Sequence, residues 1–336
     1  MKNKESKKKI LPMVLSLILS LVIGVGAGTF VWRYYKNQQR TQSVNEPADN
    51  VENTQATGDT IVYGGKRYQY NTDLTNILFM GVDKQEAVTL GSMPGRAGQA
   101  DCIMIVSLNK TDKTARILQI SRDSMTAVDI YDASGNYYTS VEAQLATQYA
   151  YGNGGQSSIW AMKKTVSELL YDMPIAGCFS MTIEGISALN DAIGGVSITI
   201  PEDYTDIDPA FVQGTTLTLT GEQAEKYVRK RDINVEGSNS GRMQRQVQYI
   251  TALLTQVKSQ MNNSMDFYGT YYPLVESDVV TDLSAAELND MASYTYLTDE
   301  VAYVPGEVVP GEVNEEYHVD EAELQKLLVK MFYKEI

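Results

Sequence analysis

Three long apolar runs follow one another in the first half of the chain, NILFMGVD (76–83), DCIMIVSLN (101–109) and RILQISRD (116–123). Each is rich in Ile, Leu, Met and Val and lacks the alternation of a half-exposed strand, which predicts central strands of a sheet covered on both faces. The polar turn KTDKTA between the second and third runs is short enough only for an antiparallel pair. If the first pair is antiparallel too, Asp83, Asp101, Arg122 and Asp123 meet at one edge of the sheet.

Helical spacing of apolar residues follows in the middle of the chain. Residues 157–171 predict an amphipathic helix that ends before Pro174. Its buried side is expected to carry Trp160, Val166, Leu169 and Leu170. The runs CFSMTI and VSITI predict further strands around a short helix stopped by a glycine pair. Thr220 with Gln223 three residues later is a capping box that begins another helix. The pattern as a whole predicts an α/β fold, an αβα sandwich with a mixed central sheet and helices on both faces.

The segment EKYVRKRDINVEGSNSGRMQRQVQY (225–249) concentrates cations in an acidic protein. The cations are Arg229, Lys230, Arg231, Arg242 and Arg245. In a helix that runs on from Arg242, one apolar arc is shared by Met243, Val247, Ile250, Leu253, Leu254 and Val257. Arg242, Arg245 and Tyr249 line its flank, with Gln246 at the border. Arg229 and Arg231 can serve one site only if the preceding helix stops near Val228. This arrangement indicates an anionic ligand beside an apolar layer; a solvated basic face is the alternative.

The stretch ILPMVLSLILSLVIGVGAGTFVW (10–32) contains no charged residue. As a helix it would be about 35 Å long, enough to cross a hydrocarbon core of roughly 30 Å. The lysine-rich residues 1–9 predict a cytoplasmic tail, a single-pass cell-membrane protein and an extracytoplasmic domain. An uncleaved signal-anchor is favoured over a signal peptide, because the apolar region of a signal peptide is shorter.

The composition after this span changes twice along the chain. Residues 37–60 hold hardly an apolar group and cannot form a core, so 33–70 is assigned to an extracytoplasmic linker. Residues 71–262 are assigned to the main extracytoplasmic domain. Beyond them the chain becomes more acidic and carries two helical patterns, SAAELNDMASY and DEAELQKLLVKMFY. We assign 263–336 to a C-terminal extension packed on the domain.

Charge and composition exclude several function classes. Through Arg40 the chain has eight Lys and Arg and one Glu; taken from 28 basic and 42 acidic residues, this leaves 20 against 41, a net charge of −21 that argues against nucleic acid as partner. The single histidine, His318, lies in a polar segment, which makes a Ser-His-Asp triad or a histidine-ligated zinc site improbable. Cys102 and Cys178 lie in apolar runs and favour buried free thiols, although an oxidising compartment would permit a bridge.

Several motifs in order resemble the LytR-CpsA-Psr family of membrane-anchored cell-wall ligases. They are NILFMGVD, ADCIMIVSLN, ISRD, YAYGNGG, DAIGGVSITIP, LTGEQAEKYVRKRD and GRMQRQ, and they span roughly residues 76–257. The resemblance implies transfer of a glycopolymer, such as teichoic acid or capsule, from a polyprenyl-pyrophosphate carrier to a peptidoglycan acceptor. It also implies a magnesium ion (Mg²⁺) at the pyrophosphate.

The resemblance assigns roles to individual residues. The metal-binding carboxylates fall on Asp83 and Asp101. The pyrophosphate-binding residues fall on Arg122, Arg229, Arg231, Arg242 and Arg245, with Gln246 beside them. Two cations usual in the family are replaced by Gln99 and Gln144; Arg96 is a candidate substitute for the first, and the sequence offers none for the second.

The implied chemistry is physically reasonable without histidine. Displacing a lipid pyrophosphate builds negative charge on the leaving group, which fixed arginines and a bridging metal stabilise. Asp83 and Asp123 are both candidates for the base that takes the acceptor proton, although a carboxylate held by a cation such as Arg122 is a weak base. Two alternatives stay open: a polyprenyl-phosphate-binding envelope regulator, and a pyrophosphatase that uses water.

Overall fold

A computed structural model describes residues 59–84, 95–132, 134–231, 237–260, 266–312 and 314–336. The predicted cytoplasmic tail and membrane span (1–32) lie outside these residues. None of the helices in the described ranges combines the length and hydropathy of a membrane span.

The described strands, in chain order, are β1 Thr60–Tyr63, β2 Lys66–Tyr70, β3 Leu74–Val82, β4 Ala100–Asn109, β5 Thr114–Ile120, β6 Met125–Tyr131, β7 Tyr137–Gln144, β8 Gly177–Thr182, β9 Ser197–Thr199, β10 Thr216–Thr218, β11 Val279–Thr281, β12 Thr295–Tyr296, β13 Ala302–Tyr303, β14 Gly306–Pro310, β15 Glu315–Val319 and β16 Tyr333–Glu335. The α-helices are α1 Thr147–Ala150, α2 Gln156–Leu169, α3 Ile183–Ala192, α4 Gly221–Arg229, α5 Ser238–Gln260, α6 Phe267–Val275, α7 Ala285–Ser293 and α8 Glu321–Phe332. Short 3₁₀ turns cover Glu276–Asp278 and Thr298–Glu300.

The central sheet is mixed, as the apolar runs predict. Its strand order is β11-β8-β3-β4-β5-β12, and β13 also pairs with β5. The pairs β3–β4 and β4–β5 are antiparallel, whereas β8 runs parallel to β3. The antiparallel order confirms that the end of β3, the start of β4 and the end of β5 share one edge.

Helices cover both faces of this sheet and form two apolar cores. One core joins Leu78 and Ile103 of the sheet to α2 and α8. The other joins Ile77 and Met104 to α3, α5 and α7. Neighbouring residues of one strand therefore serve different cores, because successive side chains point to opposite faces.

The predicted buried side of α2 is wrong in one residue. Trp160 is 55% exposed, while Ile159, Met162, Val166 and Leu169 are buried. These four follow the i, i+3, i+7, i+10 spacing of one helix face, and Trp160 lies about 100° away from Ile159. The large aromatic ring was therefore a poor guide to the orientation of the helix.

Residues 60–70, assigned from sequence to the linker, form an antiparallel hairpin instead. Its second strand, β2, pairs with β16 at the end of the chain. Ile61 and Tyr70 are buried in the core that α2 and α8 share with the sheet. The alternating apolar residues Ile61, Tyr63, Tyr68 and Tyr70 suffice for a strand pair in this polar segment because β16 supplies a partner strand.

The C-terminal segment does more than pack on the domain. β11 extends the sheet beyond β8, and β12 and β13 extend it beyond β5. The segment thereby covers both outer strands of the sheet, which would otherwise expose unpaired backbone groups. Cys102 and Cys178 are buried with free thiols, as predicted.

Candidate active site

A β-bulge places two carboxylates at the common edge of the sheet. Gly81 pairs with Cys102 and Val82 with Ala100, so Asp101 is the extra residue of β4. A bulge breaks the strand alternation and redirects a side chain. Asp101 and Cys102, although consecutive, consequently line the same cavity. Just after β3, the Asp83 N–H donates to the Gln99 carbonyl at 2.9 Å and holds Asp83 beside this bulge.

Two arginines from distant elements converge on Asp101. Arg122 follows β5 and donates from Nη1 to Asp101 Oδ1 and from Nη2 to Gln99 Oε1. Arg242, in the first turns of α5, donates to Asp101 Oδ2 at 2.9 Å. The Arg242 side chain is only 4% exposed. Burial lowers the pKa of Arg242, and the nearby Asp101 opposes that shift. Each oxygen of the Asp101 carboxylate therefore accepts from a different guanidinium group.

A third arginine reaches the site from the end of α4. The capping box of Thr220 and Gln223 begins this helix, and its backbone becomes extended at Lys230. Arg229, its last residue, lies 3.2 Å from Asp83 and 3.3 Å from Glu225. Its side chain is about a third exposed, at 35%. The helix thus ends one residue after Val228, which meets the condition that the sequence set for Arg229 and Arg231 to serve one site. Arg229 stands at the solvent side of the cluster.

Asp123 is a buried carboxylate held largely by neutral groups. Its Oδ2 accepts from Asn239 Nδ2 at 2.7 Å and its Oδ1 from Gln144 Nε2 at 3.1 Å. Arg122 Nε lies 3.4 Å from Oδ1. Burial raises the pKa of Asp123, and the charges of Arg122, Arg231 and Arg242 only partly offset that rise. A carboxylate whose pKa is raised takes up a proton more readily at neutral pH.

An apolar cavity opens directly from the charged cluster. It runs between the sheet and α3, α5 and α7, and it encloses about 1110 Å³ of empty space including solvent at its mouth. Its charged end holds Asp83, Asp101, Arg229 and Arg242. Its remaining wall is mainly aliphatic and aromatic, from Phe79 and Phe179 of the sheet to Ile250 and Leu253 of α5. The arrangement suits an amphiphile with a long apolar tail and an anionic head.

Over residues 31–332 the chain matches the profile of the LytR_cpsA_psr family. The chain belongs to this family. It is 26% identical over 286 residues to the polyisoprenyl-teichoic acid–peptidoglycan teichoic acid transferase TagU of Bacillus cereus (strain AH820), with 85% of this chain and 82% of the relative covered. The crystal structure of protein gbs0355 from Streptococcus agalactiae superposes with a TM-score of 0.61 and 23% identity, covering 76% of this chain and 86% of that one. TagT bound to LI-WTA gives a TM-score of 0.57 and 22% identity, covering 77% and 89%.

The other LytR-CpsA-Psr positions predicted from sequence lie at different depths. Gln246 lines the cavity and donates to the Val228 carbonyl at 3.1 Å, with a buried Oε1 that has no hydrogen-bond partner in the described structure. Arg231 is half-buried, and its charge lowers the pKa of both Asp123 and Arg242. Arg96 is exposed and does not line the cavity. Its pyrophosphate contact stays a prediction.

Arg245 is turned away from the carboxylates. Its Nε donates to the Tyr227 carbonyl at 2.9 Å, and its Nη2 donates to the Lys230 carbonyl. Its guanidinium also stacks 4.8 Å from the centre of the Tyr204 ring. These contacts fasten α5 to the end of α4 and so position Arg229; a direct contact with pyrophosphate remains a prediction.

Sequence reasoning missed Asn239 and the part played by Gln144. Asn239 accepts from Arg242 Nη2 at 2.8 Å while donating to Asp123, so it links both halves of the site. Its position three residues before Arg242 on one helix was the available signal. Gln144, noted only as a missing cation, donates to Asp123 and to the Glu315 carbonyl at 2.8 Å.

Proposed function

We propose that this chain transfers a glycopolymer, a teichoic acid or related polymer, from a polyprenyl-pyrophosphate carrier to peptidoglycan. The observation that carries the proposal is the charged end of an apolar cavity. Burial of an isoprenoid tail contributes about 0.8 kcal/mol per methylene equivalent, and the arginines at the mouth bind the pyrophosphate. TagU, whose name describes such a transfer, is a relative over most of the chain.

The reaction forms one bond and breaks one bond at phosphorus. The acceptor hydroxyl oxygen attacks the phosphorus that carries the polymer, and the pyrophosphate P–O bond breaks. The products are a polymer–phosphate–acceptor diester and polyprenyl phosphate. Negative charge grows on the departing phosphate, where Arg122, Arg229 and Arg242 supply fixed positive charge.

Asp123 is assigned as the base that takes the acceptor proton. Its carboxylate is buried, is held by amides and has a raised pKa. Asp83, the other candidate, is about two-fifths exposed, with 39% of its side chain accessible, and is paired with Arg229. The assignment makes Asn239 and Gln144 positioning residues, since both hold Asp123 through hydrogen bonds.

Asp83 and Asp101 would supply two oxygen ligands to a magnesium ion, in place of the contacts they now make with Arg229, Arg122 and Arg242. The described residues contain no group of three or more His, Cys, Asp or Glu side chains arranged around a metal. Mg²⁺ nevertheless binds commonly through one or two carboxylates together with substrate phosphates and water. Such an ion would neutralise phosphate charge. Replacing Asp101 with Asn is expected to abolish the magnesium dependence of turnover; unchanged dependence would remove Asp101 from the metal site.

The membrane anchor proposed for residues 10–32 would hold the domain outside the cell beside its lipid substrate. Protease added to intact protoplasts is expected to remove the domain. A domain that survives until the cells are lysed would overturn this topology.

One assay separates transferase from hydrolase and binder. Full-length protein in detergent is incubated with a lipid-linked, radiolabelled glycopolymer, with and without peptidoglycan. A transferase attaches label to peptidoglycan only when the acceptor is present. Release of free polymer phosphate without acceptor would instead identify a hydrolase, and tight binding with no turnover in either case would identify a binding protein.

A further inference from the structure

A groove of uncharged polar residues runs along α5 on the side opposite the lipid cavity. The stripe Gln244, Gln248, Thr251, Thr255 and Ser259 follows the i, i+4, i+7, i+11, i+15 spacing of one helix face, and all five residues line the groove. At about 100° per residue, this face is centred roughly 180° from the cavity-lining face that carries Ile250 and Leu253. A single helix therefore separates the two sites.

The wall of this groove carries no charge. Most of its lining residues are Ser, Thr or Gln, and none of them is Asp, Glu, Lys or Arg. In a chain with 42 Asp and Glu residues, an ordinary solvated helix face would be expected to carry acidic side chains. Solvation alone therefore does not account for the stripe.

The groove leads to the base. A second cavity lies at the start of α5. Asp123 and Asn239 line one side of it, and Glu315 and Tyr317 of β15, which pairs with β14 in an antiparallel hairpin, line the other. Gln244 and Tyr303 line both this cavity and the groove, so the two adjoin each other. Asp123 thus lies beside the pyrophosphate-binding Arg122 on one side and lines the second cavity, next to the groove, on the other.

We propose that the groove, together with the adjoining cavity at Asp123, binds the uncharged glycan strand of the acceptor and delivers one of its hydroxyls to Asp123. The proposal rests on the transferase function above. Hydroxyl and amide side chains both donate and accept, which matches the hydroxyls and acetamido groups of a glycan. Tyr303, 39% exposed at the junction, offers a ring on which a sugar can pack.

Charge identifies the acceptor rather than the donor polymer as the occupant. A phosphate-rich teichoic acid would need cations along the groove, and its walls hold none. Asp123, Glu315 and Glu316 at the inner end would repel such a polyanion further. A neutral strand meets no such barrier, and it approaches the phosphorus from the side away from the lipid.

The test measures binding of a soluble oligomer of N-acetylglucosamine, an uncharged probe with the hydroxyl and acetamido groups of the peptidoglycan glycan strand. Full-length protein in detergent is titrated calorimetrically as wild type, Tyr303→Ala and Gln244→Ala. The matched control is Tyr138→Ala, a tyrosine 64% exposed on β7. We expect both groove variants to bind about tenfold more weakly, the control to bind like wild type, and all four proteins to retain polyprenyl pyrophosphate equally. Phosphate-bearing teichoic acid fragments without lipid should bind at least tenfold more weakly than the uncharged N-acetylglucosamine oligomer.

The outcomes separate the groove from the transferase function. Wild-type affinity in both Tyr303→Ala and Gln244→Ala would overturn the groove and leave the transferase function standing. Equal affinity for teichoic acid fragments would overturn the choice of a neutral occupant. Glycan binding that is lost in the groove variants, in a protein that transfers no polymer, would uphold the groove and reject the transferase function.

Discussion

The two faces of the central sheet use the same strands for different purposes. On the face covered by α2 and α8, Leu78 and Ile103 pack into a core whose members are almost entirely buried. On the face covered by α3, α5 and α7, the neighbouring residues Phe79 and Cys102 of the same strands border the apolar cavity. The face covered by α2 and α8, the closed face, is fully packed and stabilises the fold. The face covered by α3, α5 and α7, the open face, is packed less tightly and leaves space for a ligand. Buried side chains therefore have different consequences on the two faces.

The largest expected effect is a difference in the free energy of unfolding between variants on the two faces. Leu328 of α8 is fully buried on the closed face, so Leu328→Ala should lower the free energy of unfolding by about 2–5 kcal/mol. Leu254 of α5 lines the cavity and is only partly buried, so Leu254→Ala should cost less stability and weaken lipid retention. Urea denaturation and lipid copurification measure the two effects. Equal losses of stability in both variants would contradict the comparison.

The next effect concerns the arginines at the open mouth. Each of Arg122→Ala, Arg229→Ala and Arg242→Ala removes a charge-assisted contact worth about 1.5–3 kcal/mol, which slows transfer roughly tenfold to hundredfold. Lipid retention should persist, because the apolar wall is intact. The matched control is Arg116→Ala, whose pair with Glu300 is largely solvated, so that transfer should stay near the wild-type rate.

The salt dependence of the transfer rate distinguishes arginines that bind the pyrophosphate in a partly buried site from a solvated basic face. Exposed charges are screened within about 10 Å at 0.1 M salt, whereas the mostly buried Arg242 is screened much less. The slower transfer by the Arg242→Ala variant should therefore persist at high salt. Near wild-type rates in all three arginine variants, or a deficit that disappears with salt, would refute the proposed site.

Much of this site was accessible from the sequence because it follows from strand order. Once β3, β4 and β5 are antiparallel neighbours, Asp83, Asp101 and Arg122 must share an edge. The bulge at Asp101 was not predictable, since nothing in ADCIM distinguishes a bulged residue from a paired one. Nor was the different orientation of Arg242 and Arg245, which depends on how α5 packs against the end of α4.

Sequence reasoning failed where partners are distant along the chain. The hairpin 60–70 needed β16, which lies more than 260 residues later. The part of Gln144 depends on Glu315 in a hairpin far along the chain. Local pattern contains no information on either pairing, so a polar-looking segment and an unremarkable glutamine were both undervalued.

The two sides of the molecule also differ in how they hold a buried carboxylate. Asp129, 2% exposed, is paired with Lys164 of α2 on the closed side. Asp123 is held mainly by Asn239 and Gln144. Because the pKa of Asp123 is raised, the folded state binds its proton more tightly than the unfolded state, and its contribution to stability falls as pH rises from the ordinary value through the raised one. Transfer should show the converse dependence and decline as pH falls through the same window. A rate independent of pH there would exclude Asp123 as the base.

The smallest expected effect comes from making Asp123 resemble Asp129. Gln144→Lys would place a cation on Asp123 Oδ1, where the present amide donates at 3.1 Å. A nearby positive charge favours the carboxylate form, so the pKa of Asp123 should fall and the acid limb of the pH–rate profile should move to lower pH. A less basic carboxylate is also a poorer proton acceptor, so the rate at neutral pH should fall severalfold while the affinity for lipid stays unchanged. Gln69→Lys on exposed β2 adds the same charge away from the site and should leave the profile in place. If both variants shift the acid limb equally, the effect is one of net charge alone; if neither shifts it, the neutral donors around Asp123 do not set its proton affinity.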